Sequence, residues 1–480
     1  MSVNARQFRR TKIVATWGPA VSGEAELRSL IQVGVDVFRL NSSHATHAEL
    51  EEAIPRIRRL ANEEGRPVAL LQDIQGPRIR TGRLAHGAPV QLKQGRSVTI
   101  TSEAVEGTAD VVSIDHRGLA ADVAPGQRIL IADGTIVLRV ASVSASHVNA
   151  VVELGGPLGE HKGVNLPDSR VSVEALTEKD RNDLAFGVRH GVEYVALSFV
   201  RRRDDILACR SYIHEMGGTS PIIAKIEHPE AITNLEEILI ACDGIMVARG
   251  DLGVEISPER VPLLQKRLIR RANEMGLPVI TATQMLESMV ERSTPTRAEA
   301  SDVANAVLDG TDALMLSAES AIGRYPVQTV QTMVRIALEA EGTSPVGQAH
   351  LGSDQAHAMA LAARDLAERL DAKAIVVFTK SGRSAQVISH QRPLTPVYAF
   401  TDDPAVCRQL ALWHGVTPIL TQLREDPTTW VEHGLVDLRR LEIAEPGDSI
   451  VVIGASPWMP GASTNFVTVR PVPAVEQAAE

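Results

Sequence analysis

Three strand–helix alternations, a break, and five further alternations constrain this chain more than any other feature. Lys12–Thr16 reads as a strand and residues 24–33 as a helix; residues 36–40 and 47–62 repeat the pair, and residues 68–72 read as a third strand. From Pro77 to Leu166 the rhythm changes to short β-branched runs near residues 98–100, 128–132, 135–140 and 147–152, punctuated by Gly95, Gly107, Pro125-Gly126 and Asp133-Gly134. An Asp-Gly pair between two apolar runs is a hairpin signal. At Thr177 the alternation resumes, with strands expected near residues 194–199, 222–227, 244–248, 278–283 and 313–317. Val261, Leu264, Leu268, Ala272 and Met275 share one helical face, and Thr294-Pro295 reads as an N-cap and first-turn pair for the helix that ends before Gly310. Eight βα units over about 250 residues outside the break are the pattern of a (β/α)8 TIM barrel. A doubly wound open sheet is the alternative that the pattern alone leaves open.

The expected organisation is therefore a barrel over 1–74 and 169–342, an inserted small β-barrel domain over 75–168, and a C-terminal α/β domain over 354–480. The last has a helix near 356–370 and strands near 374–378, 397–400, 449–453 and 466–469. A formal charge of −10 argues against binding nucleic acid or an anionic membrane, since both need a basic surface. Cys209, Cys242 and Cys407 are odd in number and far apart, which suits a reducing cytoplasm. No leader or membrane-spanning apolar run is read, and no histidine spacing suggests a metal.

In such a barrel, chemistry gathers at the C-terminal ends of the strands. Those ends carry Arg39-Leu40-Asn41-Ser42-Ser43-His44, Asp73-Ile74-Gln75-Gly76-Pro77-Arg78, Lys225 with Glu227, Arg249-Gly250-Asp251, Thr283, and Ser317 with Glu319. Two carboxylates among cations and hydroxyls suit a divalent ion with a phosphorylated acid, because Mg²⁺ takes one or two carboxylates and leaves its remaining positions to substrate oxygens and water. A structural ion-pair network on the rim is the plainer reading of the same residues.

These motifs, with Thr11–Thr16, Gln75-Gly76-Pro77, Lys162-Gly163-Val164-Asn165-Leu166-Pro167, Lys225-Ile226-Glu227, Ala248–Gly253, Ala282–Met289 and Pro295–Glu299, resemble pyruvate kinases in order and spacing along nearly the whole chain. The resemblance implies a phosphotransferase of glycolysis acting on phosphoenolpyruvate and ADP. It implies Mg²⁺ (or Mn²⁺) on Glu227 and Asp251, and substrate carboxylate held by backbone N–H groups of Arg249, Gly250 and Asp251 with Thr283. It implies Lys225 and Arg39 at the phosphoryl group, Thr283 and Ser317 near a proton-donating water, and His44, Arg80 and Lys162 at the nucleotide. The insert would act as a lid, and the assembly would be a homotetramer. A lyase or aldolase on phosphoenolpyruvate or pyruvate would share the metal carboxylates but would not need the lid motif around Lys162, and a catalytically weak effector-binding protein would not need the intact Lys225, Glu227 and Asp251.

The chain departs from that pattern in places. Family members that need K⁺ carry Glu and Thr where this chain has Arg78 and Ile74, while Asn41, Ser43 and Asp73 still match the K⁺ ligands. A tethered Arg78 cation implies activity without K⁺. Ser42 stands where an aromatic is usual, and Ser317-Ala318-Glu319-Ser320 replaces a Ser-Gly-Glu-Thr run. In the C-terminal domain, Thr379-Lys380-Ser381-Gly382-Arg383-Ser384 between a strand and a helix reads as an anion cradle, or as an ordinary capped turn. By resemblance it would hold the phosphate of a sugar-phosphate or nucleotide effector. Trp458 and Gly461 resemble a loop covering that effector, and the family's holders of a second phosphate do not align cleanly onto Trp430 or Arg439, which favours a monophosphate, or an effector not identified by the resemblance, over a bisphosphate.

Overall fold

The computed structural model describes residues 8–343, 352, 354–422, 430–455 and 463–474; the effector-loop residues Trp458 and Gly461 lie outside these. Eight strands close into a barrel: Lys12–Thr16, Val37–Asn41, Ala69–Asp73, Tyr194–Leu197, Ile222–Ile226, Gly244–Ala248, Val279–Ala282 and Ala313–Leu316. Every pairing is parallel, and Lys12 beside Ala313 joins the first strand to the last. Closure excludes the open-sheet alternative.

Strand parity explains how an apolar chain builds a polar mouth. Side chains alternate across a strand with a period of two. Val14, Val37, Leu71, Ala196 and Ile223 fill the barrel interior. Two residues further along each strand path stand Thr16, Arg39, Asp73, Ser198 and Lys225, on the same inward face. Ile13, Phe38, Leu70 and Ala224 point outward against the helix ring. At the opposite end the interior apolar column continues into Ala411 and Leu412, so the C-terminal domain plugs the barrel floor. Lys12 Nζ donates to the Val416 carbonyl at 2.6 Å and Tyr194 Oη to the Gln409 carbonyl at 2.7 Å across that junction.

The insert holds a seven-stranded sheet, mostly antiparallel, and a separate two-stranded ribbon, around its own core of Ile100, Ile129, Leu138 and Val148. Its two edges meet through an antiparallel bridge between Thr81 and Ile114, where the Gly82 N–H donates to the Ser113 carbonyl at 2.8 Å and the Asp115 N–H to the Arg80 carbonyl at 3.0 Å, so the sheet curls into the expected small barrel. The hairpin at Asp133-Gly134 is present, with Ala132, Asp133 and Gly134 all at positive φ of 52°, 55° and 79°. The C-terminal domain is a five-stranded sheet with helices. It includes a strand, Val416–Leu420, that the sequence reading did not contain.

One cap differs from expectation. Helix Arg297–Leu308 is capped by Thr296, not by Thr294 with Pro295 at its first turn. Thr296 accepts from the Glu299 backbone N–H while the Glu299 carboxylate accepts from the Thr296 N–H, and this reciprocal pair satisfies two orphan donors at once.

Candidate active site

The inward polar layer forms one connected cluster. Asp73 is the hub: Arg39 Nε donates to one of its oxygens at 2.6 Å and Lys225 Nζ to the other at 3.3 Å. Lys225 also donates to Ser198 Oγ at 2.6 Å, and an Arg39 Nη to Thr16 Oγ1 at 3.1 Å. Burial alone would raise the Asp73 carboxyl, but Lys225 and Arg39 together hold it below the usual carboxylate range. Burial alone would neutralise Lys225; Asp73 and Glu227 overcome it, so the ammonium stays charged.

Glu227 lies just past the end of its strand, 1% exposed. Its Oε1 accepts the Phe199 N–H at 2.6 Å, and its Oε2 sits 3.5 Å from Lys225 Nζ without a hydrogen bond. Burial pushes this carboxyl up to about 7 against the pull of Lys225, and the Asp251 charge adds to the rise. A buried carboxylate with a free oxygen beside a second carboxylate is short of positive charge. Among the described residues no three His, Cys, Asp or Glu side chains gather into a complete metal site. Two carboxylates nevertheless suffice for Mg²⁺ when substrate and water complete the shell, so the donor set of Glu227 and Asp251 fits that ion.

Asp251 belongs to a short helix, Arg249–Glu255, that opens directly off the sixth strand. The Arg249 guanidinium does not face the mouth: it donates to Asp302 at 2.7 Å and to the Thr283 carbonyl at 2.7 Å. The side chain therefore anchors the helix to the seventh strand, leaving only its backbone for a ligand. Thr283 follows in the left-handed region at φ 68°, as does Gln284 at 53°. A β-branched residue there is strained by about 1–3 kcal/mol and persists only where neighbours impose it. Here the Gly250 N–H donates to Thr283 Oγ1 at 2.7 Å. On the eighth strand end, the Ser317 N–H donates to Glu319 Oε2 at 2.7 Å, and Ser317 Oγ is buried without a hydrogen bond.

Other expected residues stand further out. His44 makes no hydrogen bond through its side chain among the described residues; burial and the charges of Arg78, Arg39 and Arg80 lower its basicity, so it is neutral at pH 7. An Arg80 Nη donates to the His161 carbonyl at 3.3 Å, and the exposed Lys162 follows on the same loop. The Asn41 side-chain oxygen accepts the Ser43 N–H at 3.1 Å, Ile74 is fully buried, and Arg78 is exposed. A cavity of about 610 Å³ opens at the hinge of the insert, lined by Gln75, Pro77, Arg78, Asp115 and Arg181 among others. Lys225, Glu227 and Asp251 do not line it, so it is separate from the polar cluster.

The segment Thr379–Ser384 lies in the C-terminal domain, remote in the chain from the barrel mouth. Thr379 Oγ1 accepts the Gly382 N–H at 2.9 Å, and Ser384 pairs with Thr464 at 2.8 Å. Lys380, Ser381 and Arg383 are exposed there. Trp430 is buried against Phe378, and an Arg439 Nη donates to the Pro473 carbonyl at 3.3 Å.

Sequence reasoning missed Ser198 and Thr16, the partners of Lys225 and Arg39. Both stand at barrel-strand ends on the inward face, where the two-residue alternation along a strand marks them. It also missed Glu255, at the far end of the Asp251 helix, which accepts from Asn165 of the insert at 2.6 Å.

Comparison with known proteins agrees with this fold. The family model "pyruvate kinase, barrel domain" matches residues 8–330, and "pyruvate kinase, alpha/beta domain" matches 357–470. Pyruvate kinase 2 of Synechocystis is 45% identical over 472 residues, 97% of this chain and 80% of its own. The pyruvate kinase of Mycobacterium tuberculosis is 44% identical over 466 residues, 96% of this chain and 98% of its own. That of Corynebacterium efficiens is 45% identical over 463 residues, 96% and 98%. A closed barrel, a sheet insert, a C-terminal α/β domain and similarity along almost the full length make this chain a member of the pyruvate kinase family.

Proposed function

We propose that the chain transfers the phosphoryl group of phosphoenolpyruvate to ADP, giving ATP and pyruvate. The observation that carries this reading is the Asp73 hub, which fixes Arg39 and Lys225 as two cations at one barrel mouth, Lys225 standing 3.5 Å from Glu227. Phosphoryl transfer is chiefly positioning and electrostatic stabilisation of equatorial oxygens, and fixed cations in a water-poor site supply that. Lys225 and Arg39 stabilise charge on the moving phosphoryl group. Backbone N–H groups of Arg249, Gly250 and Asp251, with Thr283, receive the substrate carboxylate, which takes the Gly250 N–H over from Thr283 Oγ1. Glu227 and Asp251 hold Mg²⁺ (or Mn²⁺), which when bound neutralises substrate carboxylate and phosphoryl charge together. The enol oxygen leaves phosphorus with the bonding pair, and a water held by Thr283 and Ser317 delivers the proton to the enolate carbon.

The nucleotide lies against neutral His44, Arg80 and Lys162, and the insert closes over it to exclude water. Arg78 substitutes for a bound K⁺, so the reaction runs without K⁺. The exposed Lys380 and Arg383 of the C-terminal loop take the phosphate of a monophosphorylated effector. The working form is a cytoplasmic homotetramer, and none of the described helices is long and apolar enough to cross a membrane. The test is a coupled assay of pyruvate formation from phosphoenolpyruvate and ADP, with and without divalent metal. The reading requires pyruvate only when metal and ADP are both present.

A further inference from the structure

The insert and the Arg249–Glu255 helix meet at one place. The Asn165 side-chain amide donates to Glu255 Oε1 at 2.6 Å. A Cβ built on Gly134, in the insert hairpin, would stand 3.9 Å from Val254 Cγ1. Arg128, also on the insert, is near enough for its charge to act on Glu255, while its guanidinium is bonded to Asp168. Glu255 is 4% exposed, so this contact is sheltered from water that would otherwise compete for it.

Asn165 is also well placed within the insert. Its strand, Gly163–Asn165, follows directly on Lys162, and Gly163 pairs with Arg80. On the barrel side, Glu255 ends the seven-residue helix that begins with Arg249, Gly250 and Asp251. One hydrogen bond thus ties the strand carrying the nucleotide residues to the helix carrying the metal carboxylate.

We infer that Asn165 and Glu255 form a latch that positions the closed insert over the reacting groups, with Glu255 a positioning residue rather than a catalytic one. This rests on the proposed reaction. With the latch made, Lys162 and Arg80 stand over the nucleotide and water is kept from phosphorus. With it broken, water reaches the phosphoryl group in place of ADP. A P–O bond to water then forms and the P–O bond to the enol oxygen breaks. The electron pair stays on the enolate, and the proton lost by water is balanced by the one taken up at the enolate carbon, so phosphate and pyruvate appear without ATP.

The variants are E255A, N165A, their double and E255Q, whose amide oxygen still accepts from Asn165. Two readouts are used: the ratio of pyruvate to ATP formed, and amide hydrogen exchange across residues 162–166. E255A and N165A are expected to lower kcat/KM for ADP by ~10²-fold, the scale of misplacing reacting groups by an ångström. Both should form pyruvate in excess of ATP and exchange faster across 162–166. The double variant should be no worse than either single, and E255Q should restore equal pyruvate and ATP, which a merely structural glutamate would not do. Folded E255A and N165A that keep equal pyruvate and ATP, with additive losses and unchanged exchange, would overturn the latch. Should the parent form no pyruvate, the reaction is wrong, and exchange alone then decides the latch: faster in E255A upholds it, unchanged refutes it.

Discussion

Lys225 Nζ stands 3.5 Å from Glu227 Oε2, two residues along the same strand path, yet leaves that oxygen without a hydrogen bond. The ammonium is already committed to Ser198 and Asp73. Glu227 is consequently a buried carboxyl short of a cation, and in the proposed reaction its proton occupancy and metal occupancy are linked.

Without metal, the Glu227 carboxyl sits near 7, against an ordinary value of 4.5. The folded state then binds more protons than the unfolded state between those values, so its stability contribution is present below about 4.5 and is lost as pH rises through about 7. Divalent metal needs the ionised form, so binding at pH 6 should release a proton. Titration calorimetry of Mg²⁺ binding in buffers of different ionisation enthalpy should show this release, and E227Q should abolish both release and binding. Metal binding without proton release at pH 6 contradicts the assignment.

Arg78 supplies the tethered cation in this account. The parent should be fully active in a buffer whose only monovalent cation is organic. R78E should lose most of that activity and regain it on adding K⁺. Saturable K⁺ activation of the parent from near zero would contradict the role given to Arg78.

At the opposite end of the barrel, burial lowers the Lys12 ammonium from 10.5 to about 8, against the pull of Asp36. The folded state binds fewer protons than the unfolded state over that interval. The stabilising contribution is thus complete above about 10.5 and lost as pH falls through about 8. Chemical denaturation at pH 8 and pH 10 should show the parent gaining stability relative to K12M as pH rises. An equal pH response in both proteins would mean that Lys12 is not desolvated against the C-terminal domain.

Much of this architecture is legible in the sequence because it is periodic. The barrel strands and their polar tips follow from alternation alone, and Arg39, Asp73 and Lys225 share a face because each lies two residues beyond an inward apolar residue. Strand Val416–Leu420 escaped because Pro418 interrupts it; the strand lies at the sheet edge, where a missing N–H costs no ladder bond. The cap of helix Arg297–Leu308 was misread because Thr294-Pro295 imitates a start signal, while the reciprocal Thr296–Glu299 pair decides the start. Ser198 beside Lys225 needed strand four to be followed past its apolar run. The Asn165–Glu255 contact joins residues in different domains, and no local pattern carries a contact set by how the domains pack.

The central claim is that the cations held by Asp73 stabilise a moving phosphoryl group, and K225M tests it most directly. Removing the ammonium leaves Asp73 and Glu227 short of a buried partner, which costs about 3–5 kcal/mol of stability, so folding is checked first by thermal unfolding. In the folded variant, kcat for pyruvate formation from phosphoenolpyruvate and ADP should fall by ~10²–10³, the usual cost of losing one such stabilising group. A folded K225M that forms pyruvate at the parent rate would contradict the account.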